Sequence, residues 1–274
     1  MAERFRELHH AAHILILPNV WDVVSARVFE DAGFPAIATS SAALSASLGY
    51  PDGEQVGKEE LFAAVARISR TLTVPLSVDL ESGFATSTSE LAETVQRTIE
   101  AGAVGVNLED IADHEKKTLR PLDEQVERLR VARRAADELR VPLVVNARSD
   151  ASRYAPGNEA DRFQELLRRE RAYETAGADC LYPMGLAERE AIARFVKSVT
   201  APVNVMARRG LPKIAELESI GVHRLSLGPG PVYATTALLR KIARELASNG
   251  SYESMLADSV TYEELNDLTR RRAR

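Results

Sequence analysis

The apolar run Val74-Pro-Leu-Ser-Val78 ends in two carboxylates, Asp79 and Glu81, and then in Gly83. Residues two apart in a strand point to the same face, so both acids leave the strand end in one direction. Two like charges aimed together fit a divalent cation, because hard ions such as Mg²⁺ take carboxylate oxygens. The alternative is one acid capping the next helix and the other standing in water. Other short apolar runs end in the same polar way: at Asn19, Trp21 and Asp22; at Ser40 and Ser41; at Glu109 and Asp110; at Arg148 and Asp150; and at Asn204. Burying such a set without use would be costly. Where Asp79, Glu81 and Glu109 meet one arginine, Arg148, mutual repulsion raises their pKa values unless a cation compensates. A Mg²⁺ site with open positions for a substrate is therefore expected, Mn²⁺ being the other ion such ligands accept.

These residues need a frame that gathers strand ends, and two kinds of strand entry supply it. One is a helix closed by a small residue or isoleucine and a glycine: Ala32-Gly33, Ala101-Gly102, Ala176-Gly177 and Ile220-Gly221, each shortly before a β-rich run. Glycine suits the left-handed position that ends a helix. The other entry is through proline at Val74-Pro75, Val141-Pro142 and Ala201-Pro202, which fits the first residue of a strand. With His13-Ile-Leu-Ile-Leu17 this makes eight strands, separated by segments of helical spacing such as Leu91, Val95, Thr98 and Ile99. Strand and helix alternating eight times predict a (β/α)8 TIM-type barrel with the site at the C-terminal strand ends. An open doubly wound sheet is disfavoured, because Asn19-Val-Trp-Asp22 stands where a Gly-x-Gly-x-x-Gly would follow the first strand. One domain spans 1–274, of which about 231–274 is a C-terminal helical extension: a helix from Pro231 to about Ala247 and another from Tyr252 to Leu268. That surplus has to pack somewhere, a neighbouring subunit included.

A net charge of −5 gives no electrostatic footprint for nucleic acid or an anionic membrane. The basic run Arg270–Arg274 reads as a solvated tail. A single cysteine, Cys180, excludes an internal disulfide and a cysteine zinc site, and fits a reducing cytoplasm. No apolar run reaches the roughly 20 residues of a membrane helix. His9, His10 and His13 read as an exposed cluster without a carboxylate partner. His223 precedes the eighth strand, at the wrong end of the barrel.

With these residues in place the chain resembles the isocitrate lyase / phosphoenolpyruvate mutase superfamily, from about Pro18 to Gly228. The landmarks are Pro18-Asn-Val-Trp-Asp22, Ser40-Ser41, Leu48-Gly-Tyr-Pro-Asp52, Asp79-Leu-Glu-Ser-Gly83, Leu108-Glu-Asp110, Ala147-Arg-Ser-Asp150 and Ala176-Gly-Ala-Asp179. The resemblance implies that Asp79, Glu81 and Glu109 hold Mg²⁺ directly or through waters, with Asp52 bonded to a metal-bound water. It implies that the Ser40-Ser41-Ala42 turn holds the substrate carboxylate, that Arg148 faces a developing enolate, and that Asn204 lines the pocket. It further implies homotetramers, dimers of dimers that swap their last helix. Two departures stand out. Glu81 replaces the usual second aspartate, and the loop Ile111–Arg120 lacks the cysteine that isocitrate and methylisocitrate lyases carry in Lys-Lys-Cys-Gly-His.

The expected substrate is a small 2-oxo or 2-hydroxy carboxylic acid, taken through an enolate. Decarboxylation of an oxaloacetate-like acid suffers least from the missing cysteine. A retro-aldol lyase of the methylisocitrate type would need a base and an acid, for which Tyr50, His114 and Lys117 are the nearest candidates. A P–C hydrolase would use Thr118 as nucleophile, and a 2-oxo acid-binding protein with little turnover is the remaining reading. Trp21, Tyr50, Phe84, Tyr182 and the loop Ser152–Glu159 are expected to set pocket size, and loop 111–120 to close over it.

Overall fold

The computed structural model describes residues 1–270, so most of the basic run Arg270–Arg274 lies outside the described residues. The first strand, Leu15–Leu17, breaks at Pro18 and resumes at Asn19–Val20. Its lower piece pairs with the eighth strand, Arg224–Ser226, and its upper piece with the second, Ile37–Thr39. Pro18 has no N–H to give a ladder, but its carbonyl accepts from the Ala38 N–H at 2.9 Å. Parallel pairing then runs through the third strand, Leu76–Asp79, the fourth, Gly105–Glu109, the fifth, Val144–Ser149, and the sixth, Cys180–Pro183. One bridge, Leu181 to Val203, leads to the seventh strand, Asn204–Met206, which pairs with the eighth. The circle closes as a (β/α)8 barrel.

Period-two alternation sorts each strand. Val78, Val106, Leu108, Val145, Ala147, Leu181, Val205 and Leu225 face outward and join the core shared with the helices. Helix Thr88–Glu100 meets them with Leu91, Thr94, Val95 and Thr98, one stripe at helical spacing, and starts where Ser87 Oγ accepts the Glu90 N–H. The inward set is largely polar, including Asp79, Asn107, Glu109, Asn146, Arg148 and Arg224.

The N-terminal helix Ala2–Leu8 plugs the bottom of the barrel with Phe5, packed on Leu15, Leu17, Ala36, Ala38 and Val144. Position 105 must be glycine for this, since a Cβ there would lie 2.4 Å from Phe5 Cε1. His9 is buried rather than exposed, because the same helix carries it into the barrel. Its Nδ1–H donates to the Phe5 carbonyl at 2.8 Å and its Nε2 accepts from Arg224 Nη1 at 3.4 Å, the tautomer a donor-only guanidinium requires. Burial, seconded by Arg224, lowers its pKa to about 3 and keeps it neutral.

Helix Gly230–Asn249 agrees with the expected first C-terminal helix. The second is divided into Glu253–Leu256 and Tyr262–Thr269. Thr261 and Glu264 form a capping box, each side chain bonded to the other's N–H, and this starts a new helix where a continuous one was expected. The last helix lies on Val23–Asp31, the Leu268 carbonyl accepting from Arg27 Nε at 2.8 Å. Helix Gly230–Asn249 buries none of its residues and exposes Tyr233, Leu238, Leu239 and Leu246. Among the described residues no helix is long and apolar enough to cross a membrane.

Candidate active site

Among the described residues, four of the five non-glycine positions with left-handed backbone, Glu54, Glu81, Phe84 and Lys117, stand on loops around one cleft at the C-terminal rim. Such backbone persists only where the surroundings hold it. Glu54 Oε1 accepts from Ser82 Oγ at 2.8 Å and from the Phe84 N–H at 2.7 Å, and the Glu54 N–H donates to Glu81 Oε2 at 3.0 Å. From behind, the buried Arg128 guanidinium donates to the carbonyls of Ser82 and Ala85.

The cleft holds a cavity of about 190 Å³, with Ser41, Asp52, Glu81, Glu109 and Arg148 among its walls. Asp79 stands beside it, its Oδ2 accepting the Ser41 N–H at 3.3 Å. Burial first, then Asp52, Asp79 and Glu109, push the Glu81 carboxyl up to about 9, and its Oε1 is buried without a partner. Burial likewise pushes Glu109 up to about 8, against the pull of Arg148, whose Nη1 lies 2.7 Å from Glu109 Oε2. Asp52 belongs to an exposed loop, yet its carboxyl enters the cavity wall. Desolvation there and the charge of Asp79 raise its pKa, opposed by the Ser41 hydroxyl, Arg148 and His114. Burial opposes the Arg148 charge, but Glu109 and Asp150 outweigh it and hold the guanidinium well above its ordinary pKa. Arg148 Nε donates to Asp150 Oδ2 at 2.7 Å, and the guanidinium carbon lies 5.9 Å from the Tyr182 ring centre.

The other residues singled out in the sequence stand elsewhere. Ser40 is buried and caps its helix through the Ala43 N–H at 3.4 Å. Ala42 faces a groove shared with Val232 and Tyr233. Trp21 packs half-buried against the core, and Asn204 is fully buried, its amide donating to Ser226 Oγ at 3.2 Å. Tyr50 turns to Glu60, 2.8 Å away, and Phe84 lines an outer cavity.

Residues 111–119 form a short antiparallel hairpin, Ile111–Asp113 against Thr118–Leu119. It brings His114 and Lys117 to the cavity. His114 Nδ1 is 3.7 Å from Glu109 Oε1 and its Nε2 is 4.0 Å from Glu81 Oε2. Arg153 and Tyr154 also reach the cavity, from the helical turn Ala151–Tyr154 after the fifth strand. Pro156 is the one sequence signal for that placement, since it holds Ala155 in an extended conformation and ends the turn.

Among the described residues no three acidic, imidazole or thiol side chains already converge as a ligand set. Glu109 is turned to Arg148 and Glu81 to the Glu54 N–H. In kind the donors fit a hard divalent cation: all are carboxylate oxygens, one is buried and unpartnered, and burial with neighbouring acids raises the pKa of two of them, a cost that a cation would offset.

A parallel barrel with an acid-and-arginine cavity at its C-terminal rim is the architecture of a barrel enzyme. The model of the phosphoenolpyruvate phosphomutase family matches residues 5–247, and the chain belongs to that family, within the isocitrate lyase/PEP mutase superfamily. The crystal structure of a candidate phosphonomutase from Burkholderia cenocepacia J2315 is 40% identical, with a TM-score of 0.84 over 89% of this chain and 98% of that one. Protein Rv1998c of Mycobacterium tuberculosis is 32% identical over 97% of this chain and 99% of its own length. The 2-methylisocitrate lyase of Bacillus subtilis is 29% identical over 97% of this chain and 88% of its own. The relatives whose names state a reaction are lyases and mutases, which supports an enzyme that cleaves carbon–carbon bonds.

Proposed function

We propose that the protein is a Mg²⁺-dependent lyase or decarboxylase of a small 2-oxo acid, with an oxaloacetate-like substrate favoured. The observation that carries this reading is Arg148, clamped by Glu109 and Asp150 and facing the same small cavity as the buried Glu81, whose Oε1 has no partner. Asp79, Glu81 and Glu109 would hold the ion, with Asp52 on one of its waters. When bound, Mg²⁺ supplies Lewis-acid polarisation of the substrate's keto oxygen. The chain does the rest. Ser41 lines the wall where the substrate carboxylate enters. Arg148 donates to the oxygen on which charge develops as the bond to the leaving CO₂ breaks, and Asp150 keeps its guanidinium aimed. His114 and Lys117, both in the cavity wall, would supply the proton to the enolate carbon.

That last pair also favours a second reading, a retro-aldol lyase like the 2-methylisocitrate relative, which needs such groups. Thr118, the nucleophile of a P–C hydrolase, is exposed on the hairpin and is not among the cavity walls. Pyruvate release from oxaloacetate, measured with Mg²⁺ and with EDTA, tests the first reading. A wild-type rate that does not exceed that of Asp79→Ala removes the decarboxylase. Mg²⁺-dependent thermal stabilisation by 2-oxo acids without product would indicate a binding protein instead. The apolar residues along Gly230–Asn249 support a homo-oligomer, and light scattering that finds only a 30.0 kDa species would exclude it.

A further inference from the structure

The register that sets Glu109 beside Arg148 at the cavity sets Asp110 beside Ser149 on the outer face of the barrel, because successive strand residues point to opposite sides. Asp110 is fully buried there. Its Oδ1 accepts the Asp150 N–H at 2.9 Å. Its Oδ2 accepts Ser149 Oγ at 2.7 Å, the Tyr173 hydroxyl at 2.8 Å and Arg169 Nη1 at 3.3 Å. Arg169 and Tyr173 are four residues apart on the helix Glu159–Thr175, so they share one face, turned to the back of the fourth and fifth strands. A carboxylate this deep is costly without a cation and donors around it. Arg169, itself buried, supplies the charge.

The same residues tie down two separate parts of the cavity. The Asp110 carbonyl accepts the Arg120 N–H at 2.7 Å, and Arg169 Nη1 donates to the Arg120 carbonyl at 2.9 Å. These two bonds close the base of the hairpin that carries His114 and Lys117 into the cavity wall. On the other side, the Asp110 carboxylate holds the Asp150 N–H, and the Asp150 carboxylate in turn takes Arg148 Nε at 2.7 Å. Ser149 Oγ passes the restraint on, accepting the Ala151 N–H at 3.3 Å where the turn Ala151–Tyr154 begins. Asp110, Arg169 and Tyr173 thus stand behind the walls and join elements that meet across the cavity.

Resting on the lyase reading above, we propose that Asp110, Arg169 and Tyr173 are positioning residues, one hub that keeps the proton-bearing hairpin and the clamp on Arg148 in a single frame. Support of developing charge by Arg148 and delivery of a proton from the hairpin both belong to the transition state, whereas the substrate carboxylate is received at Ser41. Loosening the hub therefore lowers kcat and leaves KM nearly unchanged.

The test uses the full-length protein with Mg²⁺ and oxaloacetate, and reads amide hydrogen exchange by mass spectrometry beside pyruvate release. Arg169→Met should lower kcat by about 100-fold, as a misplacement of about 1 Å does, with KM within about twofold of wild type. Arg169→Lys, which returns the charge to Asp110, should recover part of the loss. Tyr173→Phe removes one donor and keeps the ring, so it should lower kcat severalfold, and it decides the matter where Arg169→Met does not fold. In these variants segments 111–120 and 149–154 should both exchange faster, while Arg224–Ser226 exchanges as in wild type. Arg168→Ala, on the exposed side of the same helix, should change neither reading. Unchanged kcat in Tyr173→Phe and Arg169→Lys, loosening of one segment without the other, or faster exchange at Arg224–Ser226 as well overturns the hub. If wild type releases no more pyruvate than Asp79→Ala, the lyase reading fails on its own. Paired loosening of the two segments then still upholds the frame, and its absence removes it.

Discussion

The barrel holds two buried polar layers, one above the other, and treats them differently. In the lower layer Asn107 Oδ1 accepts from Asn146 Nδ2 at 2.8 Å and from Arg224 Nη2 at 3.2 Å, while Arg224 also reaches the neutral His9. Phe5 seals this layer from below. The upper layer, Glu81, Glu109 and Arg148, is as deeply set but opens into a cavity, while unpartnered atoms occur in both layers, Glu81 Oε1 above and Asn146 Oδ1 and Arg224 Nε below. A buried charge is thus not in itself a mark of function. In the lower layer neutral amides and an imidazole surround the charge behind a sealed floor, so it contributes to shape, whereas the upper layer is open on the side that a ligand can reach.

The sharpest way to break this contrast is to delete one arginine from each layer. Arg148→Ala should lower turnover by roughly 100-fold or more, the effect of removing a group aimed at developing charge, with an unchanged circular dichroism spectrum. Arg224→Met should leave the turnover of folded protein within about threefold. Equal losses would show that the layers act as one unit.

Next in size is Gly105→Ala. The added Cβ meets Phe5 and should cost roughly 1–3 kcal/mol by displacing the N-terminal helix. Denaturant unfolding would show the loss, while activity per folded molecule stays near wild type.

A smaller effect is expected from pH. Burial pushes the Glu109 carboxyl up to about 8 and the Glu81 carboxyl up to about 9, against an ordinary value of 4.5. The native state therefore keeps protons that the unfolded chain releases, and stability falls as pH rises from 4.5 through about 9. In EDTA the melting temperature should decline across that window. Mg²⁺ should flatten the decline, and Glu81→Gln should remove part of it. A flat profile in EDTA would mean that the two acids are compensated some other way.

The smallest effect belongs to Cys180, which faces the lower layer with its thiol pushed up by burial to about 12. It should resist alkylation in the native state, and Cys180→Ala should cost about 1 kcal/mol with no loss of turnover. Rapid labelling would place it on the accessible side of the contrast.

The barrel was legible because its signals are local. Proline and glycine entries mark where strands begin, and the Ala101-Gly102 stop does stand just before the fourth strand, Gly105–Glu109. That Glu81, Glu109 and Arg148 share one rim was legible because period-two alternation and the rim rule act without knowledge of packing. Burial of His9 was not legible, since it depends on a helix folding under the barrel and no pattern in thirteen residues reports that. Arg153 and Tyr154 were hidden inside a loop of unknown path. The break before Tyr262 was readable, because Thr261-x-x-Glu264 is a capping box, but the helical spacing on either side masked it.

The interruption at Pro18 and the single bridge between Leu181 and Val203 divide the wall of the barrel into two panels, one of six strands and one of three. Asp79, Glu109, Arg148 and Tyr182 all lie on the six-stranded panel. The charged apparatus is therefore carried by one run of continuous parallel pairing, and both seams fall outside it. New chain termini placed at either seam should be tolerated where the same cut between the fourth and fifth strands is not.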